Sequence, residues 1–394
     1  MKARTRTLLA AALVLGVAAG PVAPAAVAAV PARTAVREAP VFPAPPDAAA
    51  LREALAGLPS GSATAALVRV GGSSGSWAGA AGVADLRTGR GAMAHARFRA
   101  GSVTKVFTAA VVLRLAAEGK LELDRPVQEY LPGLLPGTFE PVTVRQLLNH
   151  TSGIGAADGP GDAFEAQWAA RFDRTDPREQ IANAVAKGPE FRPGTAQHYL
   201  NINYTVLGVL TEAVTGRPYE EVVAARILRP LGLRQTSYPG SDPRIHGPHH
   251  HGYQAVERAD GSTELRDVTV WESTSRWAAG DIISTTADLE RFTVALFRGQ
   301  VVPEPQLAEM FTVPQVRDFV SGKPAQLTAG MSRLVLPDGT VAWGKTGGRF
   351  GYSTAMGATR DLSRTLVYSV NSTDAKGQDM NPVALSVTLA AFRR

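Results

Sequence analysis

The sequence of 394 residues contains no cysteine. That absence excludes disulfide staples, zinc–thiolate sites, iron–sulfur clusters, a cysteine nucleophile and lipid attachment through a cysteine. Lysine is scarce, 7 residues against 34 arginines, which reads as a coding bias rather than a physical constraint. Residues 1–28 hold no acidic side chain. Of the formal net charge of +6, Lys2, Arg4 and Arg6 supply three, leaving +3 for the rest of the chain. So small an excess gives no case for nucleic acid as a partner. Neither Gly101 nor Gly347-Gly348 sits in a phosphate-loop pattern, and no internal repeat is present.

What remains is ordinary globular material, 45% hydrophobic and 19% charged, which excludes disordered and collagen-like classes. The length suits two or three domains of roughly 150 residues. The N-terminus has a separate explanation. Met1–Thr7 is a basic n-region, Leu8–Gly20 an apolar h-region, and Ala26-Val27-Ala28 a small-x-small cleavage signature. Leu8–Gly20 is too short for a span of about 20 residues, and Pro21 and Pro24 break the apolar stretch beyond it. Residues 1–28 are therefore expected to be a signal peptide, with a secreted, extracellular and monomeric product carrying no membrane anchor at either end. Residues 29–48, rich in Pro and Ala, read as a flexible segment.

Strand-like runs then frame the chain. Ala65–Val70 and Ser76–Val83 flank a Gly/Ser turn. Ser332–Leu336, Val341–Thr346, Tyr352–Ala358 and Thr365–Val370 lie near the other end, with Pro337-Asp338-Gly339 as a hairpin turn. Short helices are expected at Leu51–Leu58 and Met380–Phe392. Gly101 and Ser102 open a helix running to Lys120, apolar nearly all round and so expected to be buried. Val144–His150, Arg178–Lys187, Tyr204–Thr215 and Glu220–Leu231 read as helices; Pro239–Gly252 reads as a loop. Ala287–Arg298 is a further helix, with Thr285 and Asp288 resembling a capping box. The expected class is α/β (α+β): an antiparallel sheet built from both chain ends and flanked by helices, residues 49–140 and 240–394, with a mainly helical domain, 141–239, inserted.

Three short patterns carry chemistry, and they occur in the order Ser-x-x-Lys, Tyr-x-Asn, Lys-Thr-Gly. Ser102-Val103-Thr104-Lys105 heads the apolar helix, where residues at i and i+3 share a face. A serine hydroxyl is a weak nucleophile until a base takes its proton, and a neutral lysine amine can be that base. Free backbone N–H groups at the helix start favour a developing oxyanion. Taken alone, such a serine is more often only an N-cap. Tyr199-Leu200-Asn201 is the sole Tyr-x-Asn among eight tyrosines, and Lys345-Thr346-Gly347 the sole Lys-Thr-Gly. Ser-x-x-Lys and Lys-Thr-Gly together mark penicillin-binding proteins and β-lactamases.

On these residues the chain resembles the serine β-lactamase-related, penicillin-binding family: class C β-lactamases and secreted actinobacterial D-alanyl-D-alanine carboxypeptidases. Phe98–Lys105, Leu121–Leu135, Val144–Gly153 and Ala278–Leu289 extend the likeness from about Ala50 onward. The resemblance implies Ser102 as the acylated nucleophile, Lys105 as its proton acceptor and Tyr199 as the proton relay to leaving group and water. It implies Asn201 against the substrate's amide, with Lys345, Thr346 and Gly347 at its carboxylate. The implied oxyanion hole is the N–H groups of Ser102 and Gly348. It implies no cofactor and no metal. The substrate would be a D-Ala-D-Ala peptide or a β-lactam. Three positions depart from the pattern: Leu200 replaces a small polar residue, Gly348 a serine or threonine, and Lys345 the histidine usual in that carboxypeptidase type. Lysine there is the β-lactamase and esterase habit. Carboxypeptidase, β-lactamase, esterase and a peptidoglycan or β-lactam binder that does not turn over all stay open.

The remaining candidates have plainer readings. His249-His250-His251, with His246 nearby, reads as a solvated run rather than a metal site. His150 and His198 read as structural, and Trp271 and Trp277 as pocket wall or core.

Overall fold

The computed structural model describes residues 44–393 except Asp162 and Gln378. The expected signal peptide lies outside the described residues, as does most of segment 29–48. That segment's end departs from expectation: Asp47 accepts hydrogen bonds from the N–H groups of Ala49 and Ala50 and caps helix α1, Ala48–Ala54.

One seven-stranded antiparallel sheet organises the molecule. Its strands are β1 (Ala63–Gly71), β2 (Trp77–Asp85), β3 (Arg90–Gly91), β4 (Ser332–Val335), β5 (Val341–Arg349), β6 (Tyr352–Thr359) and β7 (Thr365–Ser372). The order across the sheet is β4-β5-β6-β7-β1-β2-β3. β7 pairs directly with β1, Val68 opposite Tyr368, so the two chain ends share one sheet. Both faces of the central strands are covered. Ala66, Val68 and Val70 of β1, with Leu366, Tyr368 and Val370 of β7, pack against α1 and the closing helix Pro382–Phe392. The alternate residues Leu67 and Val367 join the opposite core. Strands buried on both faces lose the in–out alternation, which is why Ala65–Val68 of β1 and Leu366–Tyr368 of β7 are apolar without a break.

The opposite core is built round helix α2, Thr104–Ala117, whose side chains from Thr104 to Leu113 are all buried. Phe107 stacks on Phe292 of helix Thr286–Phe297 at 3.8 Å between ring centroids. Helix Asn201–Thr215 packs beside α2 and ends at Gly216 in the left-handed conformation, φ 65°.

Several expectations need correction. The helix headed by Ser102 begins as a 3₁₀ turn, Gly101–Val103, and becomes α-helical only at Thr104. Gly101 has φ +53°, and an added Cβ would meet the Gly348 backbone at 2.8 Å; the tight turn fits under the neighbouring strand. Thr285 accepts from the Asp288 N–H as a cap should, but the box is half formed. The Asp288 carboxylate turns away to the Gln235 N–H and the Thr236 hydroxyl, both at 2.9 Å. A hairpin, Tyr253–Glu257 with Thr263–Asp267, comes after the expected loop and was not anticipated. His250 is not solvated. Its ring is fully buried and accepts from the Met93 N–H at Nε2, so Nδ1 carries the proton and donates to Asn371 Oδ1. Burial holds this imidazole down at about 4. His251 instead pairs with Asp267 at 2.7 Å. Among the described residues no three His, Asp or Glu side chains converge on a metal position.

Candidate active site

Four segments distant in sequence meet at Ser102. The 3₁₀ turn presents its hydroxyl at the mouth of α2, and the α-helical turn below carries Lys105, whose ammonium donates to Ser102 Oγ at 3.3 Å. The same ammonium donates to Asn201 Oδ1 and to the Ala279 carbonyl, each at 2.7 Å. Three donors, three acceptors: the group is fully occupied and wholly buried. Asn201, assigned to the substrate from the resemblance, thus has its side-chain oxygen engaged by Lys105 in the free protein.

Tyr199 stands over both lysines. Lys105 Nζ lies 5.0 Å and Lys345 Nζ 4.7 Å from its ring centroid. The phenol oxygen is buried close to Ser102 and Lys105, and both favour its ionised form. His150 supports the ring from behind, its centroid 4.8 Å away. That residue is held at φ +62°, and burial, with Lys105 and Lys345 nearby, keeps its imidazole neutral. His150 is therefore a positioning element rather than an acid. Burial lowers Lys105 to about 8, helped by the Lys345 charge. For Tyr199 burial works against the phenolate, yet the two ammonium charges outweigh it and bring the phenol down to about 7.

The fourth segment is β5, running past Ser102. The sheet order leaves the Gly347-Gly348 end of its outer edge unpaired beyond the short β4, and that edge lies on the nucleophile turn. A Cβ built at Gly347 would fall 2.0 Å from the Ala100 carbonyl oxygen and 3.0 Å from the Ser102 nitrogen. Only glycine lets the two backbones approach so closely. The Thr354 hydroxyl clamps the crossing by donating to the Ala100 carbonyl at 2.8 Å. The Gly348 backbone nitrogen and oxygen would lie 2.8 and 3.0 Å from a Cβ at Gly101, so this strand edge abuts the residue before the serine. Lys345 is buried with its ammonium on the Thr346 carbonyl at 2.9 Å, while Thr346 itself is exposed.

Ser102, Lys105, Tyr199, Asn201, Lys345 and the Gly347-Gly348 edge thus come together at one place, with Thr346 exposed beside them. Trp271 and Trp277 are both buried. Trp271 stacks near Phe350 at 5.1 Å, and Trp277 donates its indole N–H to Glu220 at 2.6 Å. His198 pairs with Glu190 at 2.5 Å. Sequence reasoning missed the Ala279 carbonyl, and it missed Arg276, Arg349 and Lys376. No spacing links those three to the motifs.

The two lowered values define a pH response. A base at this site is available once Tyr199 or Lys105 has lost its proton, and their values are about 7 and 8. Acylation of Ser102 by a non-titrating substrate is therefore expected to rise with pH across roughly 6 to 9. An ordinary lysine–tyrosine pair, near 10, would instead give a rate still climbing about tenfold per pH unit at pH 9, with no levelling off. A flat stopped-flow profile there rules out both groups as the base.

Comparison with known proteins agrees with this geometry. The model of the Beta-lactamase family matches residues 49–389. Esterase EstB of Burkholderia gladioli is 35% identical over 46% of this chain and 49% of its own. Penicillin-binding protein 4 of Amycolatopsis lactamdurans is 31% identical over 57% of each chain. The aligned region thus spans about half the length of these curated relatives. Among solved structures, a D-stereospecific amidohydrolase from Streptomyces sp. is 34% identical, covers 88% of this chain and 99% of its own, and superposes with a TM-score of 0.76. D-amino acid amidase from Ochrobactrum anthropi SV3, in complex with L-phenylalanine, shares the fold at a TM-score of 0.72 and 22% identity, over 87% of this chain and 98% of its own.

Proposed function

The chain belongs to the Beta-lactamase family and is a serine hydrolase of the β-lactamase and penicillin-binding superfamily; we propose that it hydrolyses amide bonds formed by D-residues, D-alanyl-D-alanine peptides among them, through an acyl-enzyme at Ser102. The observation carrying this reading is the buried Lys105 ammonium 3.3 Å from Ser102 Oγ, opposite the Gly348 backbone edge. In it, the Tyr199–Lys105 pair takes the serine proton as Oγ attacks the carbonyl. Negative charge collects between the Ser102 and Gly348 N–H groups. Tyr199 returns the proton to the leaving nitrogen and then activates water to release the acid. Lys345 and Thr346 receive a substrate carboxylate. The reading includes export with cleavage near Ala28. It leans on the amidohydrolase likeness for its D-residue preference; the EstB identity favours a second reading, a short-chain esterase.

The test is covalent. Benzylpenicillin is expected to add its whole mass to the peptide containing Ser102, because ring opening loses no atoms. Steady-state release is then compared for D-alanyl-D-alanine peptide, D- and L-phenylalanine amide, and 4-nitrophenyl acetate. Labelling that survives Ser102→Ala sinks the nucleophile assignment, and turnover of the ester alone establishes the esterase reading instead.

A further inference from the structure

The cleft holds more positive charge than one substrate carboxylate can balance. Besides Lys105 and Lys345, three cations surround it. Arg276 is half-buried on the segment that packs against the nucleophile turn: a Cβ at Gly280 would meet the Arg276 Cβ at 3.4 Å and the Gly101 carbonyl carbon at 3.8 Å. Arg349 succeeds Gly348 on β5 and is buried. Lys376, exposed on the loop after β7, reaches back to donate to the Gly348 carbonyl at 2.8 Å. None of these five cations has a carboxylate within ion-pair distance among the described residues. Arg276 and Arg349 have no side-chain hydrogen bond there either.

Among the described residues no carboxylate pairs with them; the acid group facing Lys105, Lys345 and Arg276 is the Tyr199 phenol. Asp281 is buried with both oxygens unpartnered, and burial drives its carboxyl well above the usual range, towards the uncharged form. Glu272 is turned onto the N–H and hydroxyl of Thr274. A half-buried guanidinium without a partner is unfavourable, and such groups are retained where a ligand supplies the opposite charge.

Direction comes from the strand. β5 runs from Lys345 past Ser102 to Gly348, with Lys345 at one end of the cleft edge and Lys376 at the other. A carboxylate on the leaving group meets Lys345 and Thr346. The acyl part of the same substrate then extends along Gly348 towards Lys376 and Arg276.

Building on the proposed hydrolase reading, we infer that Arg276 and Lys376 form a second anion subsite, selecting acyl donors with a negatively charged group on the acyl side, such as an acidic D-residue.

The test uses two neutral-leaving-group anilides differing only in charge, the 4-nitroanilides of D-glutamate and D-glutamine, each as a competitor of benzylpenicillin labelling at Ser102. The D-glutamate compound is expected to halve labelling at a concentration about tenfold or more below that of the D-glutamine compound, and added NaCl should narrow the gap. Arg276→Gln and Lys376→Gln should each shrink the ratio to within about threefold. Arg87→Gln, a surface control whose side chain is 83% exposed, should preserve it. Using a ratio within each variant cancels any effect on acylation itself. Equal competition in the unaltered protein, no competition by either anilide, or a ratio that survives both substitutions overturns the subsite while leaving the acyl-enzyme intact. Absence of labelling at Ser102 removes the hydrolase reading and the subsite with it.

Discussion

Lys105→Arg is expected to slow acylation of Ser102 by about 10²–10⁴-fold, the range associated with losing a general base, while Lys345→Arg keeps measurable activity. The two lysines sit on the same tyrosine ring, at 5.0 and 4.7 Å, yet the chemistry asks different things of them. Lys105 must release its proton, and burial has already brought it down to about 8. Arginine cannot release one in a protein, so the charge survives and the function does not. Lys345 is asked for a cation facing a carboxylate, which a guanidinium also supplies. Its loss should appear mainly in KM. The measurement is the acylation rate of both variants with one carboxylate-bearing β-lactam at several pH values, with thermal unfolding recorded alongside. Should a folded Lys105→Arg acylate as fast as Lys345→Arg, Lys105 is not the base.

Gly347→Ala is expected to cost about 10²–10³-fold in kcat, comparable with losing one oxyanion donor. The added methyl would lie 2.0 Å from the Ala100 carbonyl oxygen and 2.7 Å from Thr354 Oγ1. Neither is the end of a flexible side chain, so β5 must withdraw from the nucleophile turn and take the Gly348 N–H with it. Gly91→Ala on β3 is the matched control, because nothing lies within 4 Å of its added Cβ. Steady-state kinetics and melting curves of the two variants separate a displaced donor from a generally weakened sheet. Gly347→Ala activity within about threefold of the unaltered protein would show that this strand edge does not hold the oxyanion.

The two substitutions also divide what each level of description contributed. The sequence alone determined the class of the fold and the chemical identity of the motif residues, because both are written in local signals. A run apolar on every side specifies the buried helix α2. Strand-like runs at Ala65–Val70 and Thr365–Val370 specify β1 and β7, and Pro337-Asp338-Gly339 specifies the turn between β4 and β5. Ser102 and Lys105 are three apart on a helical turn, so their proximity needs no tertiary information. The capping residue Thr285 was equally legible; its partner was not, because the Asp288 carboxylate found the Gln235 and Thr236 groups some fifty positions away.

Tertiary structure decided everything that depends on which strangers meet. Lys105 bonds to Asn201 and Ala279, 96 and 174 positions distant, and no periodicity encodes such a pairing. Only the crossing of β5 over Ala100–Ser102 explains why both Gly347 and Gly101 lack a side chain. Similarly, Arg276, Arg349 and Lys376 meet because the segment before Trp277, the end of β5 and the loop after β7 come together near Ser102. Charge at those positions reads in the sequence as ordinary solvated surface, since a lone arginine in a loop carries no signal of its surroundings. The shifted values of Lys105 and Tyr199 belong here too. Desolvation and the field of neighbouring charges are properties of assembled space, absent from a chain until it has folded.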